Sequence, residues 1–537
     1  MIGCILRCVE KTFNKLFLIV LDGFGLAAPE KGNAILAAGA PYLDSLIAKY
    51  PAMSVAASGL VVGLPWGQPG NSEVGHSAIG TGRIVVQDLA HINGEIRSGE
   101  FYKNPALVAA VEHVKKHDSA LHLIGCTSPG GIHAHTDHLI ALLELAQRHG
   151  LRRVFVHFIA DGQDMPPQDA LNVFHMLAPH LKKANARIAS IQGRSYAMDR
   201  ILSWPLTERV WHSVVLGDAP AITDMEAYLK ESYAKGMTDY SIEPRTITED
   251  SKPIGSVQDN DAVIFFDFRN DRVKQLATPF IYAETFKEFD PVRRPKNLHV
   301  SIMTRYSDDF QVPIAYPAPE LPSTLGEVVS KAGIHQWRIA EKEKEAHVTN
   351  FFNGGRISAF SGEQRVIVPS RAMKGKEYHA HPEMSAQQIV DAVLEKSSDD
   401  ARFYVINFAN PDMIGHAGNL AATEKAIKIT DDCIRQLVEK LLGMPGTAII
   451  ITADHGNAEE LIDPLTGGED TQHSTRNVPA IFIAQSLEGA QDSGKSLESL
   501  SGDAPIGTLV DIAPTALYML GIEKPIEMTG SRLISFE

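Results

Sequence analysis

Cysteine is scarce: Cys4, Cys8, Cys126 and Cys433 are the only four in 537 residues. That is too few for a disulfide framework at this length, and it points to a reducing compartment. Cys4 and Cys8, spaced C-x3-C with no second pair nearby, do not make a zinc site. No stretch reaches the ~18 consecutive apolar residues that a membrane-crossing helix requires. The amino-terminal "MIGCILRCVEKTFNK" lacks the apolar core and small-residue cleavage site of a secretory signal. Positive charge is in deficit too: 65 acidic side chains against 50 basic ones leave a formal charge of −15, which argues against a nucleic-acid partner. Internal repeats and low-complexity tracts are missing. What remains is a cytoplasmic globular chain, 44% hydrophobic and 21% charged, long enough for more than one core.

Within it, one pattern recurs. Short apolar runs rich in β-branched and aromatic residues end abruptly in polar groups. "LFLIVLDGFG" ends on Asp22, "RVFVHFIADGQD" on Asp161 and Asp164, and "ARIASIQGR" on Arg194. "DAVIFFDFRNDR" ends on Asp267, Arg269 and Arg272, "RFYVINFANPDMIGH" on Asn410, Asp412 and His416, and "TAIIITADHGN" on Asp454, His455 and Asn457. Helical patterns such as "HLIALLELAQRHG" and "IVDAVLEK" lie between them. Buried strands alternating with amphipathic helices predict an α/β fold with largely parallel sheets. Ligands of such sheets bind beyond the carboxyl ends of the strands, where these polar groups stand.

The chemistry is unevenly distributed. Asp, His and Ser collect toward the two ends of the chain, while Arg194, Arg200, Arg269 and Arg272 fall in the middle third. This predicts a metal-type domain from residues 1–85 and 315–537, with a second domain, 86–314, inserted between. The prolines of "AYPAPELPSTLGE" mark the second crossing.

Asp412 and His416 are four apart, so on a helical turn both face one cation. Asp454 and His455 are adjacent and can share a site only where their strand has ended, as Gly456 suggests. Asp22 closes a buried strand before Gly-Phe-Gly, and His473 lies in the polar loop "EDTQHSTRN". Singly, each histidine reads as an ordinary hydrogen-bonded residue. Together they form a mixed carboxylate–imidazole set that suits Mn²⁺, Zn²⁺ or Fe²⁺, and two ions would make a clamp for phosphoryl transfer. In "GQPGNSEVGHSAIGTGR", five glycines surround Ser72. Read alone, the stretch is either a flexible surface loop or a serine presented to an anion, with a nearby cation activating its hydroxyl.

The motifs "VLDGFG", "GNSEVGH", "GGIHAHTDH", "GRSYAMDR", "FFDFRNDR", "EKEKEAHVTNFFNGG", "FANPDMIGH" and "TADHGNAE" resemble those of the 2,3-bisphosphoglycerate-independent phosphoglycerate mutases of the alkaline phosphatase superfamily. The resemblance runs from about residue 16 to the end. It implies an alkaline-phosphatase-like metal domain made of both chain ends, an inserted α/β transferase domain, two hinges, and domain closure over the substrate. It further implies two divalent metal ions, Mn²⁺ first, with Mg²⁺, Co²⁺ and Zn²⁺ as alternatives. One ion would be held by Asp412, His416 and His473, the other by Asp22, Ser72, Asp454 and His455. Ser72 would be the nucleophile that takes the phosphoryl group from 3-phosphoglycerate and returns it to the 2-hydroxyl. His133, Gln163, Asp164, Arg194, Arg200, Arg269, Arg272 and Lys344 would contact the substrate, with Asp164 as acid/base and Lys344 neutralising the transferring group. Small-molecule substrate, a monomeric state, and no nucleic-acid or membrane partner complete the expectation.

The chain departs from the family pattern in places. Gln163 stands where an arginine is usual, Pro129 for Asp, Ser195 for Tyr and Pro69 for Met. Residues 1–14 extend beyond the usual start. Lys344 lies in an "EKEKE" run that by itself reads equally as a solvated helix face.

Overall fold

The computed structural model describes residues 12–535 except 283, 320, 372, 374, 464, 465 and 491–494. Cys4 and Cys8 therefore lie outside the described residues. The chain divides into two compact units, with the divisions after Gln87 and Pro319.

The first unit is built on an eight-stranded sheet, in the order Glu363–Val368, Gln336–Glu341, Phe403–Phe408, Lys15–Leu21, Thr447–Thr452, Val478–Ala484, Ala52–Ala56, Gly507–Thr508. Lys15–Leu21 runs parallel to both its neighbours, with Leu16 opposite Phe403 on one side and Ala448 on the other. Its "LFLIVL" is buried throughout, so both faces of the strand are covered and no alternation with polar residues is needed. Val478–Ala484 departs from the parallel scheme, pairing antiparallel with both Thr447–Thr452 and Ala52–Ala56. The helix Leu420–Leu441 starts on Asn419, whose side chain accepts from the Ala422 N–H, and buries Ala422, Ala426, Ile427, Ile434, Leu437, Val438 and Leu441 along one face.

The second unit carries its own sheet, in the order His299–Ile302, Ala262–Phe265, Leu121–Cys126, Val154–Ala160, Ala186–Gly193, Arg245–Glu249, Ala221–Ile222, with Lys252–Pro253 pairing Arg245–Glu249. Its central strands are parallel, and Arg245–Glu249 is antiparallel to Ala186–Gly193. The two helical patterns form Thr136–Arg148 and Ala386–Lys396. All six apolar runs are strands, and each stops before the polar cluster that follows it.

Candidate functional site

In the first unit the strand ends bring Asp22, Asp412 and Asp454 together. Asp22 directly follows Lys15–Leu21. Asp412 rides on the short helix Asn410–Gly415 after Phe403–Phe408, and Asp454 is separated from the end of Thr447–Thr452 by Ala453 alone. All three carboxylates are buried.

Ser72 is the first residue of the helix Ser72–Thr81. Its N-cap is Asn71, whose side-chain oxygen accepts the Val74 N–H at 2.9 Å. The cap leaves the Ser72 and Glu73 N–H groups at the open, positive end of the helix. Gly75 lets that helix approach the Asp454 loop: a Cβ there would sit 2.7 Å from the Asp454 Cβ. The Ser72 hydroxyl lies 2.9 Å from Asp22 Oδ1, 3.0 Å from His455 Nε2 and 2.8 Å from Lys344 Nζ. The serine loop is thus a close-packed junction and not a free surface turn.

Lys344 resolves the ambiguity of its charged run. It is 3% exposed, and its ammonium donates to Asp22 Oδ1 and Asp412 Oδ2, each at 2.6 Å. Burial alone would lower its pKa, but the carboxylates of Asp22, Asp412 and Asp454 more than offset this and hold its proton. His455 responds in the same way: burial opposes its charge, and Asp454 and Asp22 lift it to about 10. Burial likewise opposes ionisation of Asp22, yet Lys344 and His455 hold it as a carboxylate, below the usual range.

The donor set fits divalent cations. His416 Nδ1 is 2.8 Å from the Thr471 carbonyl, and His473 Nδ1 is 2.9 Å from that of Gly70. A carbonyl only accepts, so each Nδ1 carries a proton, and in the neutral imidazole each Nε2 offers a lone pair. Those two Nε2 atoms face each other at 2.9 Å, with Asp412 Oδ1 3.3 Å from both. Three acceptor atoms converging on one point call for a cation. Asp412, His416 and His473 form one such group; Asp22, Asp412 and His455 form a second, and Asp22, His76 and Asp454 a third. The buried Asp454 Oδ2, which has no hydrogen-bond donor, lies 3.0 Å from His76 Nδ1. Every metal ligand expected from the sequence lies in this region.

His76 and Asn407 were not among the expected residues. Asn407 donates to Asp22 Oδ2 at 2.7 Å and lies 3.1 Å from His76 Nε2, bracing Asp22 from below. Asn457 likewise donates to Asp412 Oδ1 at 2.9 Å. The signals were present: His76 follows Ser72 by one helical turn, and Asn407 interrupts the apolar strand "FYVINF".

The second unit holds a separate cluster at its own strand ends. Arg194, 2% exposed, directs Nη1 to Asp161 Oδ1 at 2.6 Å and to Asp164 Oδ2 at 2.5 Å, and Nη2 to His133 Nε2 at 2.9 Å. Because a guanidinium only donates, His133 Nε2 accepts and the imidazole is neutral. Burial and the Arg194 charge push its pKa down to about 4. Asp271, also unforeseen, joins the set, 3.5 Å from His133 Nδ1, 3.1 Å from Arg200 Nη1 and 3.4 Å from Arg269 Nε. Among the described residues no carboxylate forms an ion pair with Arg272; burial and the like charges of Arg194 and Arg200 lower its pKa, which Asp271 partly offsets. Clustered guanidiniums match the planar geometry of carboxylate and phosphate groups. Gln163 contributes its backbone N–H to Asp161. Beneath the cluster, fully buried Asp267 accepts the Cys126 N–H at 3.1 Å, while its other oxygen has no partner. Burial pushes its pKa up to about 8.

Comparison with known proteins follows the same division. The family description "BPG-independent PGAM N-terminus" matches residues 92–308, and "Type I phosphodiesterase / nucleotide pyrophosphatase" matches residues 324–466. A 2,3-bisphosphoglycerate-independent phosphoglycerate mutase of Methanosarcina acetivorans is 44% identical over 523 residues, covering 97% of this chain and 98% of its own. One from Moorella thermoacetica is 43% identical with the same coverage of both chains. Among solved structures, Leishmania mexicana phosphoglycerate mutase at low cobalt concentration aligns with a TM-score of 0.71 at 29% identity, over 98% of this chain and 99% of its own. Among the described residues, no helix is long and apolar enough to cross a membrane.

Proposed function

The chain belongs to the 2,3-bisphosphoglycerate-independent phosphoglycerate mutases, and from that premise we propose that it interconverts 3-phosphoglycerate and 2-phosphoglycerate through a phosphoserine on Ser72. The observation that carries this reading is the Ser72 hydroxyl, buried within 3.0 Å of Asp22, His455 and Lys344. An unactivated serine is a poor nucleophile; one ringed by a carboxylate, an imidazole and an ammonium is equipped for phosphoryl transfer.

In this mechanism Ser72 acts as its alkoxide: Oγ forms a bond to phosphorus as the bond from phosphorus to the glycerate 3-oxygen breaks, and the same alkoxide leaves when the phosphoryl group returns. Lys344, fully protonated between its carboxylates, neutralises the charge on the transferring group. Arg194, Arg200, Arg269 and Arg272, with His133, hold the acid groups of the substrate while it reorients, and Gln163 adds at most a hydrogen bond. Asp164 carries the proton between the 3- and 2-oxygens. The phosphoryl group then returns to the 2-oxygen and Ser72 is regenerated. One ion is assigned to Asp412, His416 and His473, and the other to Asp22, Ser72, Asp454 and His455. When bound, two divalent ions supply the positive charge that favours the serine alkoxide and offsets the phosphoryl oxygens. Mn²⁺ is the assignment, with Mg²⁺, Co²⁺ and Zn²⁺ as alternatives. The proposal also takes 1–85 with 315–537 as the metal domain and 86–314 as the substrate domain of a cytoplasmic monomer.

The test is conversion of 3-phosphoglycerate to 2-phosphoglycerate with Mn²⁺ and no bisphosphorylated activator, before and after chelation. Turnover that is lost with the metal and restored by Mn²⁺ is expected. No turnover in the Mn²⁺-loaded protein refutes the proposal.

A further inference from the structure

Glu459 lies beyond the metal-binding pair in "TADHGNAEE", and among the described residues no hydrogen bond or ion pair joins its side chain to a proposed metal ligand. Its side chain nevertheless reaches all three loops that carry the ligands Asp22, Asp454, His455 and His473. Its Oε2 accepts the Gly25 N–H at 3.0 Å, three residues after Asp22. The same oxygen accepts the Asn457 N–H at 2.9 Å, two residues after His455. Its Oε1 accepts the hydroxyl of Ser474, the neighbour of His473. The Ser474 N–H in turn bonds the Gly456 carbonyl at 3.0 Å, closing the knot.

The surrounding chain is cut to fit this carboxyl. A Cβ at Gly25 would fall inside its van der Waals shell, and one at Gly456 would strike both the carboxyl and Ser474 Oγ. Glu459 is 2% exposed. Among the described residues no lysine, arginine or histidine pairs with it, and burial raises its pKa. A buried carboxyl without a counter-cation is a poor way to gain stability, since apolar side chains of similar volume serve as well or better. Its value lies in the geometry it imposes on backbone N–H groups from three separate loops.

We propose that Glu459 is a positioning residue for the metal centre, fixing the loops of Asp22, Asp454–His455 and His473 so that their ligand atoms converge before any ion arrives. The inference rests on the metal-dependent reading above and adds to it the residue that sets metal affinity from outside the ligand set. Outer-shell partners of this kind typically change affinity ~10–100-fold when removed.

The experiment is calorimetric titration of the full-length, chelator-stripped protein with Mn²⁺, together with the melting temperature without metal. Glu459→Ala is expected to keep the wild-type ion stoichiometry but bind ~10–100-fold more weakly, with kcat falling more than KM changes. Glu459→Gln keeps an oxygen for the two N–H groups and an amide that donates to Ser474, so it is expected to stay within about threefold of wild type. Ser474→Ala removes the Oε1 contact and the oxygen that accepts the Arg476 N–H at 3.2 Å; it is expected to weaken Mn²⁺ binding while leaving the metal-free melting temperature near wild type. It carries the test if Glu459→Ala does not fold. Unchanged affinity in folded Glu459→Ala overturns the inference, as does equal loss in the Gln variant, or unchanged affinity in Ser474→Ala where the alanine variant does not fold. A wild-type protein that binds Mn²⁺ without mutase turnover sinks the functional reading and leaves this comparison standing.

Discussion

Replacing Asp267 by asparagine is expected to stabilise the protein at neutral pH and to lose that gain in acid. In the folded chain this carboxyl is buried, meets one backbone N–H, and holds its proton up to about pH 8. The reference value for an exposed aspartate is 3.8. Below that value both states are protonated and the group has no effect. Between about pH 4 and 8 the unfolded chain ionises freely while the folded one retains the proton, so folding loses ground steadily; above pH 8 the loss is constant. At pH 7 roughly three pH units separate the solution from the unfolded pKa, which at 1.36 kcal/mol each sets a ceiling of ~4 kcal/mol. Asparagine keeps the shape and cannot ionise, but its amide inherits the orphaned position of Oδ1, so about half the ceiling, ~2 kcal/mol, is expected. For a unit of this size that is a gain of ~4–8 °C in the melting of the second unit. Scanning calorimetry of the intact chain at pH 4.5, 7 and 8 would show the gain growing with pH. A gain equal at all three values, or a loss at pH 8, would refute the reasoning.

Ser72→Ala is expected to abolish mutase turnover while calorimetric Mn²⁺ uptake remains within ~10-fold, because the two aspartates and the histidine of its site persist; near-wild-type turnover would sink the nucleophile assignment. Activity should fall as the pH drops, because the carboxylates around His455 and His416 favour their protonated forms and protons there compete with the metal; a flat rate profile to pH 5 with metal retained would contradict this. Arg194→Lys is expected to cut kcat/KM by more than ~10-fold, since one ammonium cannot serve Asp161, Asp164 and His133 from a planar fork. Gln163→Arg should lower KM for 3-phosphoglycerate several-fold by adding a charged contact; an unchanged KM would remove residue 163 from the substrate site.

The strands that frame both sites were legible because a strand buried on both faces is an unbroken apolar run, and its end is marked by the first charge. Leu121–Cys126 was less so, since His122 and Gly125 interrupt it. Val478–Ala484 reads as one more apolar strand, and nothing local says that it lies antiparallel. Lys344 shows the limit at the site: "EKEKE" is ambiguous until burial selects one lysine of the two. His76 and Asp271 escaped for a related reason. Their roles depend on partners far along the chain, Asp454 for one and His133 and Arg200 for the other. Spacing finds ligands that share a turn, as Asp412 and His416 do; it does not find groups that tertiary packing brings beneath them.

Lys15–Leu21 lies between two strands that follow it by several hundred residues, and that fixes an order of assembly. Leu16 waits for Ala448, so at ~5–20 residues per second the amino-terminal strand emerges ~20–90 s before its partner. Throughout that interval the segment between them can be collapsing around its own sheet, while the hydrophobic opening strand stays unpaired and open to chaperones. A polypeptide that stops before residue 454 carries the serine but lacks Asp454, His455 and His473, the partners its proposed chemistry requires.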